Sequence, residues 1–180
     1  RVRVPRYKPA RECIDTRAYD VVELRSDNEA KDFVESHHYS GTYPAARFRF
    51  ALTRGSELVG VAVFSHPCND AVLTSVFGGQ AIESVELGRF VLLDDVPGNG
   101  ETWFLARCFD VLRRRDLRGV VAFSDPHPRH DVHGRVVMPG HIGVIYQAHN
   151  GHYLGRSTRR TLAPWITPSS LRRMTPSTAV

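Results

Sequence analysis

Three things are scarce in this 180-residue chain: long apolar runs, paired cysteines and lysine. No stretch of eighteen apolar residues occurs, so no membrane-spanning helix is written in it. The opening "RVRVPRYKPARE" lacks the apolar segment of a secretory signal, and a cytoplasmic protein is the expectation. The chain starts at Arg1 rather than Met, as a trimmed or renumbered chain would. Cys13, Cys68 and Cys108 are far apart and form no CxxC pair, which argues against a disulfide framework and against a thiolate zinc site. An apolar fraction of 42% still suffices for one continuous core.

What is abundant is arginine: 22 residues against two lysines, within a net charge of +5. The arginines cluster at 1–11, 113–118, 156–160 and 172–173. A planar guanidinium suits phosphate, so these clusters fit a polyanionic partner such as nucleic acid; they also fit the solvated faces of a basic protein.

Periodicity gives a mixed order of elements. "YDVVELRS" alternates as a strand, and "SDNEAKDFVESHHY" carries Ala30, Phe33 and Val34 at helical spacing, ending near His38. "RFRFALTR" and "ELVGVAVFS" flank "GSE" as an antiparallel hairpin. "AVLTSVF" reads as a short helix or as irregular chain, and "SVELGRFVLL" as an apolar strand. The strongest helix is "ETWFLARCFDVLRRRDL", with Asn99 as its expected N-cap. "GVVAFS" is wholly apolar, as expected of a buried central strand, and "HYLGRS" and "RRTLAPWI" read as further strands. The expectation is therefore α/β, with a basic arm over 1–16, one domain over 17–166 built on a central mixed curved sheet with helices on both faces, and a basic tail over 167–180. In the strand–helix–strand unit of residues 84–124, a right-handed crossover puts the start of the long helix beside the C-terminal ends of both strands. A helix N-terminus favours anions, so Gly98, Asn99 and Gly100 are the expected binding residues for a cofactor phosphate or acyl carrier.

This order of elements resembles the GNAT acyltransferase superfamily. Four blocks in sequence, "HHYSGTYP", "ELGRFVLLDDVPGNGETWFLAR", "AFSDP" and "GHIGVIYQAHNGHYLG", resemble more narrowly the Mom family of bacteriophage DNA-modification proteins, a GNAT-like branch. The resemblance implies a transferase that places a carbamoylmethyl (acetamido-type) group on the N6 amine of adenine in double-stranded DNA, protecting a phage genome from restriction in the host cytoplasm. It also implies iron or another divalent metal. Matched block by block, it assigns catalytic roles to His38 with Tyr39, Arg89, Thr102, Asp125 and Tyr146. Threonine at 102 stands where the pattern has serine. The turn "VPGNGET" lacks the spaced glycines that grip coenzyme A pyrophosphate, which counts against an acyl-CoA donor. About a dozen residues between "SDP" and "GHIG", carrying most of the loop histidines, are an insertion.

Taken alone, the residues leave several readings open. His38 at a helix end and Asp125 after a strand suit a divalent metal, or a general base with its orienting acid. They equally suit a helix end on the surface and a cap on the Asp-Pro turn. Glu86 and Arg89 fall on opposite faces of a regular strand unless a bulge intervenes, and an arginine there needs an anion, either a carboxylate or a substrate phosphate. Tyr146 is a proton donor or a core tyrosine with its hydroxyl at the rim. Trp103, Phe104, Tyr153 and Trp165 stack a flipped base or pack. His127, His130 and His133, on a Pro/Gly-broken segment, read as a solvated loop with His141 as a neighbour of the site. Two other functions remain: an N-acyltransferase acting on a small amine, a protein or aminoacyl-tRNA, and a non-catalytic nucleic-acid-binding protein. A homodimer is among the assemblies the sequence allows.

Overall fold

The alternation in the first half of the chain becomes a five-stranded sheet. A computed structural model describes residues 8, 9 and 11–157. Strands β1 (Tyr19–Glu23), β2 (Ala46–Arg54), β3 (Glu57–Ser65), β4 (Ser84–Leu92) and β5 (Gly119–Val121) lie side by side in chain order. The first four are antiparallel, and β5 joins β4 in parallel. Gly55, at φ 59°, opens the two-residue turn between β2 and β3, a conformation that carries no Cβ penalty in glycine.

One helix covers each face. Helix α1 (Asn28–His37) lays Ala30, Phe33 and Val34 on Val61, Val63 and Val91. Helix α3 (Gly100–Arg113) lays Phe104, Leu105, Cys108 and Leu112 on the other face, against Phe50, Phe64 and Val85. Each fully buried leucine or phenylalanine contributes about 1.5–3 kcal/mol relative to exposure. The molecule is thus one α/β domain with a mixed sheet between helices. Helix α2 (Ala71–Phe77) closes the β5 edge, where Phe77 fills the space a Cβ on Gly119 would need. Among the described residues, no helix is long and apolar enough to cross a membrane.

Two strand expectations change. The central strand is β3, buried from Val59 to Ser65, whereas "GVVAFS" contributes only the three-residue edge strand β5. A short apolar run reports burial, and here the covering comes from α2 and α3 rather than from strands on both sides. "HYLGRS" is not a strand: Tyr153 and Leu154 are 83% and 66% exposed. The expected strand "RRTLAPWI", Trp165, the tail 167–180 and the first residues of the basic arm lie outside the described residues. The inserted histidine segment is a small hairpin, β6 (Arg129–His130) with β7 (Val136–Met138), and "GVIYQA" forms the short helix α4 (Val144–Ala148).

Candidate active site

The sheet opens at its β4–β5 edge. Strand β5 pairs only with Ser84–Glu86 and leaves the ladder after Val121, while β4 runs on to Leu92. The chain beyond β5 descends through Ser124, Asp125 and Pro126, makes the β6–β7 excursion, and returns alongside itself. Left-handed glycines permit that return: Gly140 (φ 76°) packs on the Pro126 carbonyl and Gly143 (φ 71°) on the Ser124 side chain. The backbone N–H of His141 donates to the Asp125 carbonyl at 2.7 Å.

Three rings from two parts of the chain meet at this opening. The Tyr39 hydroxyl, just past α1, lies 3.4 Å from Nε2 of His141. The His141 ring meets the Tyr146 ring edge-on, with centroids 6.3 Å apart, and Tyr146 packs onto the main core. Burial pushes the Tyr146 phenol up to about 12, with Tyr39 and Glu86 adding to the rise. Tyr39 is raised chiefly by burial, against the opposing pull of Arg89. Burial lowers His141, which the charge of Asp125 partly offsets. At neutral pH the opening therefore holds a neutral imidazole between two protonated phenols. Beside it Asp125 stays ionised: the Arg129 guanidinium, 2.6 Å from Oδ2, holds its carboxyl low, and the His127 N–H at 3.1 Å assists.

A bulge decides the neighbouring charges. Val63 pairs with Arg89 and Phe64 with Leu87, so Gly88 is skipped and Glu86 comes onto the same face as Arg89. Gly88 leaves room there for the Ser65 hydroxyl, which a Cβ would displace. Arg89 donates Nε to the Thr42 carbonyl at 2.9 Å and Nη2 to the Thr42 hydroxyl at 2.7 Å. Its partners include loop oxygens, where sequence reasoning had offered it only an anion. The guanidinium thereby anchors the loop that follows Tyr39.

The other expected site residues divide. Asp125 and Tyr146 belong to the cluster, and His38 abuts it by stacking on Tyr39, with centroids 4.2 Å apart. Nδ1 of His38 is 2.8 Å from the Ser40 hydroxyl. Thr102 donates to the Asn99 carbonyl at 3.1 Å, a bond within its own helical turn. The turn at Gly98, Asn99 and Gly100 is roofed by the chain itself. A Cβ on Gly98 would collide with the Glu12 carbonyl, Ile14 N–H donates to the Gly98 carbonyl at 2.9 Å, and Lys8 bonds the Asp94 carbonyl. Asn99 does precede α3, but in the left-handed conformation (φ 64°), with its amide turned 3.4 Å from Cys13 Sγ instead of capping the helix.

The expected metal ligands have other partners in this structure: Asp125 accepts from the Arg129 guanidinium and the His127 N–H, and Nδ1 of His38 lies against Ser40, which leaves Nε2 as the ring nitrogen that could meet a metal. Among the described residues, no group of three or more His, Cys, Asp or Glu side chains is placed to hold a metal ion. The aromatic candidates also sort by exposure: Phe104 is fully buried, Trp103 packs against the core, and Tyr153 is open. Two surface hollows, of about 370 and 280 Å³, lie elsewhere, one beside Arg49 and Arg115 and one beside Trp103.

Sequence reasoning kept His141 only as a neighbour and did not single out Arg129. The signal for His141 was its place between two glycines in the same block as Tyr146; Arg129, inside the insertion, gave none. No curated protein matches the chain. The family model described as the Mom protein family matches residues 21–167, 147 of the 180, and includes Tyr39, Asp125, His141 and Tyr146. The chain belongs to the Mom protein family.

Proposed function

We propose that this protein is a DNA-modifying transferase that places a carbamoylmethyl group on N6 of adenine, with the Tyr39–His141–Tyr146 opening as its active site. Family membership supports DNA modification. The observation that carries the assignment of the site is the half-buried neutral imidazole of His141 between two phenols, next to an ionised carboxylate.

The chemistry follows from those protonation states. Adenine N6 is conjugated to the ring and is a poor nucleophile until it loses a proton. N6 attacks the methylene carbon of an activated carbamoylmethyl donor, forming the N–C bond as the bond to the leaving group breaks. His141 accepts the N6 proton, and the Asp125 charge favours the imidazolium that results. Tyr146, a phenol at neutral pH, returns a proton to the leaving group. Arg89 and His38 act one step away, by fixing the loop and ring of Tyr39. No step is assigned to iron. A coenzyme A-dependent N-acyltransferase would need the 95–102 turn, which Glu12 and Cys13 occupy.

The test is to digest DNA from cells expressing the protein and to weigh its nucleosides. The expected result is a modified deoxyadenosine that His141→Gln removes. Unmodified adenine from cells that hold folded protein and supply the donor would end this reading.

A further inference from the structure

The β6–β7 hairpin has a foot and a tip, and both are built. At the foot, Arg129 is tied to Asp125 at 2.6 Å. Only two residue pairs, Arg129 with Met138 and His130 with Val136, form the ladder. At the tip, Asp131 pins the turn from within. Its Oδ1 accepts the N–H groups of His133 and Arg135 at 2.8 and 3.0 Å, and its Oδ2 takes Nε of Arg135 at 2.7 Å. Its N–H reaches the Arg135 carbonyl at 2.9 Å, and its carbonyl accepts from Gly134 at 3.0 Å.

The turn so tied holds Val132 outward, 94% exposed. Single exposed apolar residues are ordinary on protein surfaces. A β-branched one, stiff at χ1, on a rigid turn whose foot meets a candidate active site, is a shaped projection. Val132 is three residues from Arg129, so at roughly 3.3 Å per residue no more than about 10 Å of chain separates it from the foot.

We propose that the β6–β7 hairpin is a duplex-opening wedge, with Val132 entering the base stack as adenine leaves it for the cleft. This rests on the DNA-modifying reading above. A two-stranded ribbon fits a groove of B-form DNA. Apolar side chains inserted between base steps unstack them, and a base must leave the stack before its N6 can be reached in a cleft. His130, His133 and Arg135 flank the tip, where a phosphate backbone would pass.

The test uses the purified full chain and a pool of mixed-sequence duplexes carrying 2-aminopurine in place of adenine, whose fluorescence rises on unstacking. In a second pool the base opposite the probe is missing, so no wedge is needed. The wild-type protein is expected to raise fluorescence in both. At saturating protein, Val132→Gly and Val132→Asp are expected to lose about fivefold or more of the signal in the paired pool, while keeping it in the second, and Val132→Leu is expected to keep most of it in both. Signal unchanged by Val132→Gly, or lost equally in both pools, overturns the wedge, as does a wild-type protein that modifies adenine in cells without any fluorescence rise. A wild-type protein that modifies no adenine, with folded protein and donor present, overturns the parent reading instead.

Discussion

Two places on the β4–α3–β5 unit compete as ligand sites, and they are built in opposite ways. The turn before α3 has the glycines and the helix N-terminus that favour an anion, but residues 12–14 lie across it and Gly98 is buried beneath the Glu12 carbonyl. The opening beyond β5 has no phosphate-binding motif, yet it gathers Tyr39, His141 and Tyr146 with an ionised Asp125. A favourable backbone dipole offers little room to a ligand where the chain itself fills the space above it, whereas the proposed site gathers its rings where a strand leaves its partner early.

The comparison breaks most sharply at His141. If this imidazole takes the N6 proton, His141→Gln lowers modified adenine by about 10²–10⁴-fold, measured by nucleoside mass, at unchanged protein yield. Tyr146→Phe keeps the ring packed on the core and removes the donor, so a loss near 10²-fold is expected in the same assay. The pH dependence has a definite sign. Burial holds His141 below its ordinary 6.5, so activity stays level as pH falls to 6.5 and declines only below it. In the same way the unfolded ring binds its proton first, so the stability this residue contributes is intact above 6.5 and is lost as pH falls below that value. An acid limb that persists in His141→Gln would assign it to another group.

The skeleton of the fold was legible because local periodicity states it. Ala30, Phe33 and Val34 mark α1, the apolar repeat from Phe104 to Leu112 marks α3, and Gly55 marks the hairpin. What was not legible depends on register and on contacts distant in sequence. The run "GVVAFS" could not say that only three residues pair, or that they form an edge. Glu86 and Arg89 share a face only because Gly88 is skipped against β3, which no reading of β4 alone determines. Asp125 and Tyr146 were singled out from their blocks, but the part proposed for His141 rests on the return of the chain through Gly140 and Gly143. Tyr153 looked like a strand residue because it is aromatic, but the backbone there joins no ladder and the ring is exposed.

At the roofed turn the expected effect is on stability rather than chemistry. Gly98→Val forces side-chain carbon against the Glu12 backbone, and overpacking of this kind costs about 1–3 kcal/mol. In a chain of this size that lowers Tm by about 2–4 °C per kcal/mol, readable by thermal unfolding. Modification per folded molecule should hold at the wild-type level. A variant that folds with unchanged Tm but modifies no adenine would return the turn to the list of ligand sites.

Thr102 gives the smallest and most discriminating effect, because it lies on the helix that begins at the roofed turn while the family resemblance gives it a catalytic role. Its hydroxyl donates to the Asn99 carbonyl in the first turn of α3 and is half-buried. Valine has nearly the same shape without that bond, so Thr102→Val costs the net worth of one hydrogen bond, about 0.5–1.5 kcal/mol. On the geometry described, modification changes by no more than about twofold, since the bond made is local and the cleft rings are held by other segments. Serine at the same position restores the bond and returns Tm toward the wild-type value. A loss of about 10²-fold in Thr102→Val, with that small change in Tm and with rescue by Thr102→Ser, would show that the hydroxyl reaches the reacting groups, and the opening at β5 would then extend to the start of α3.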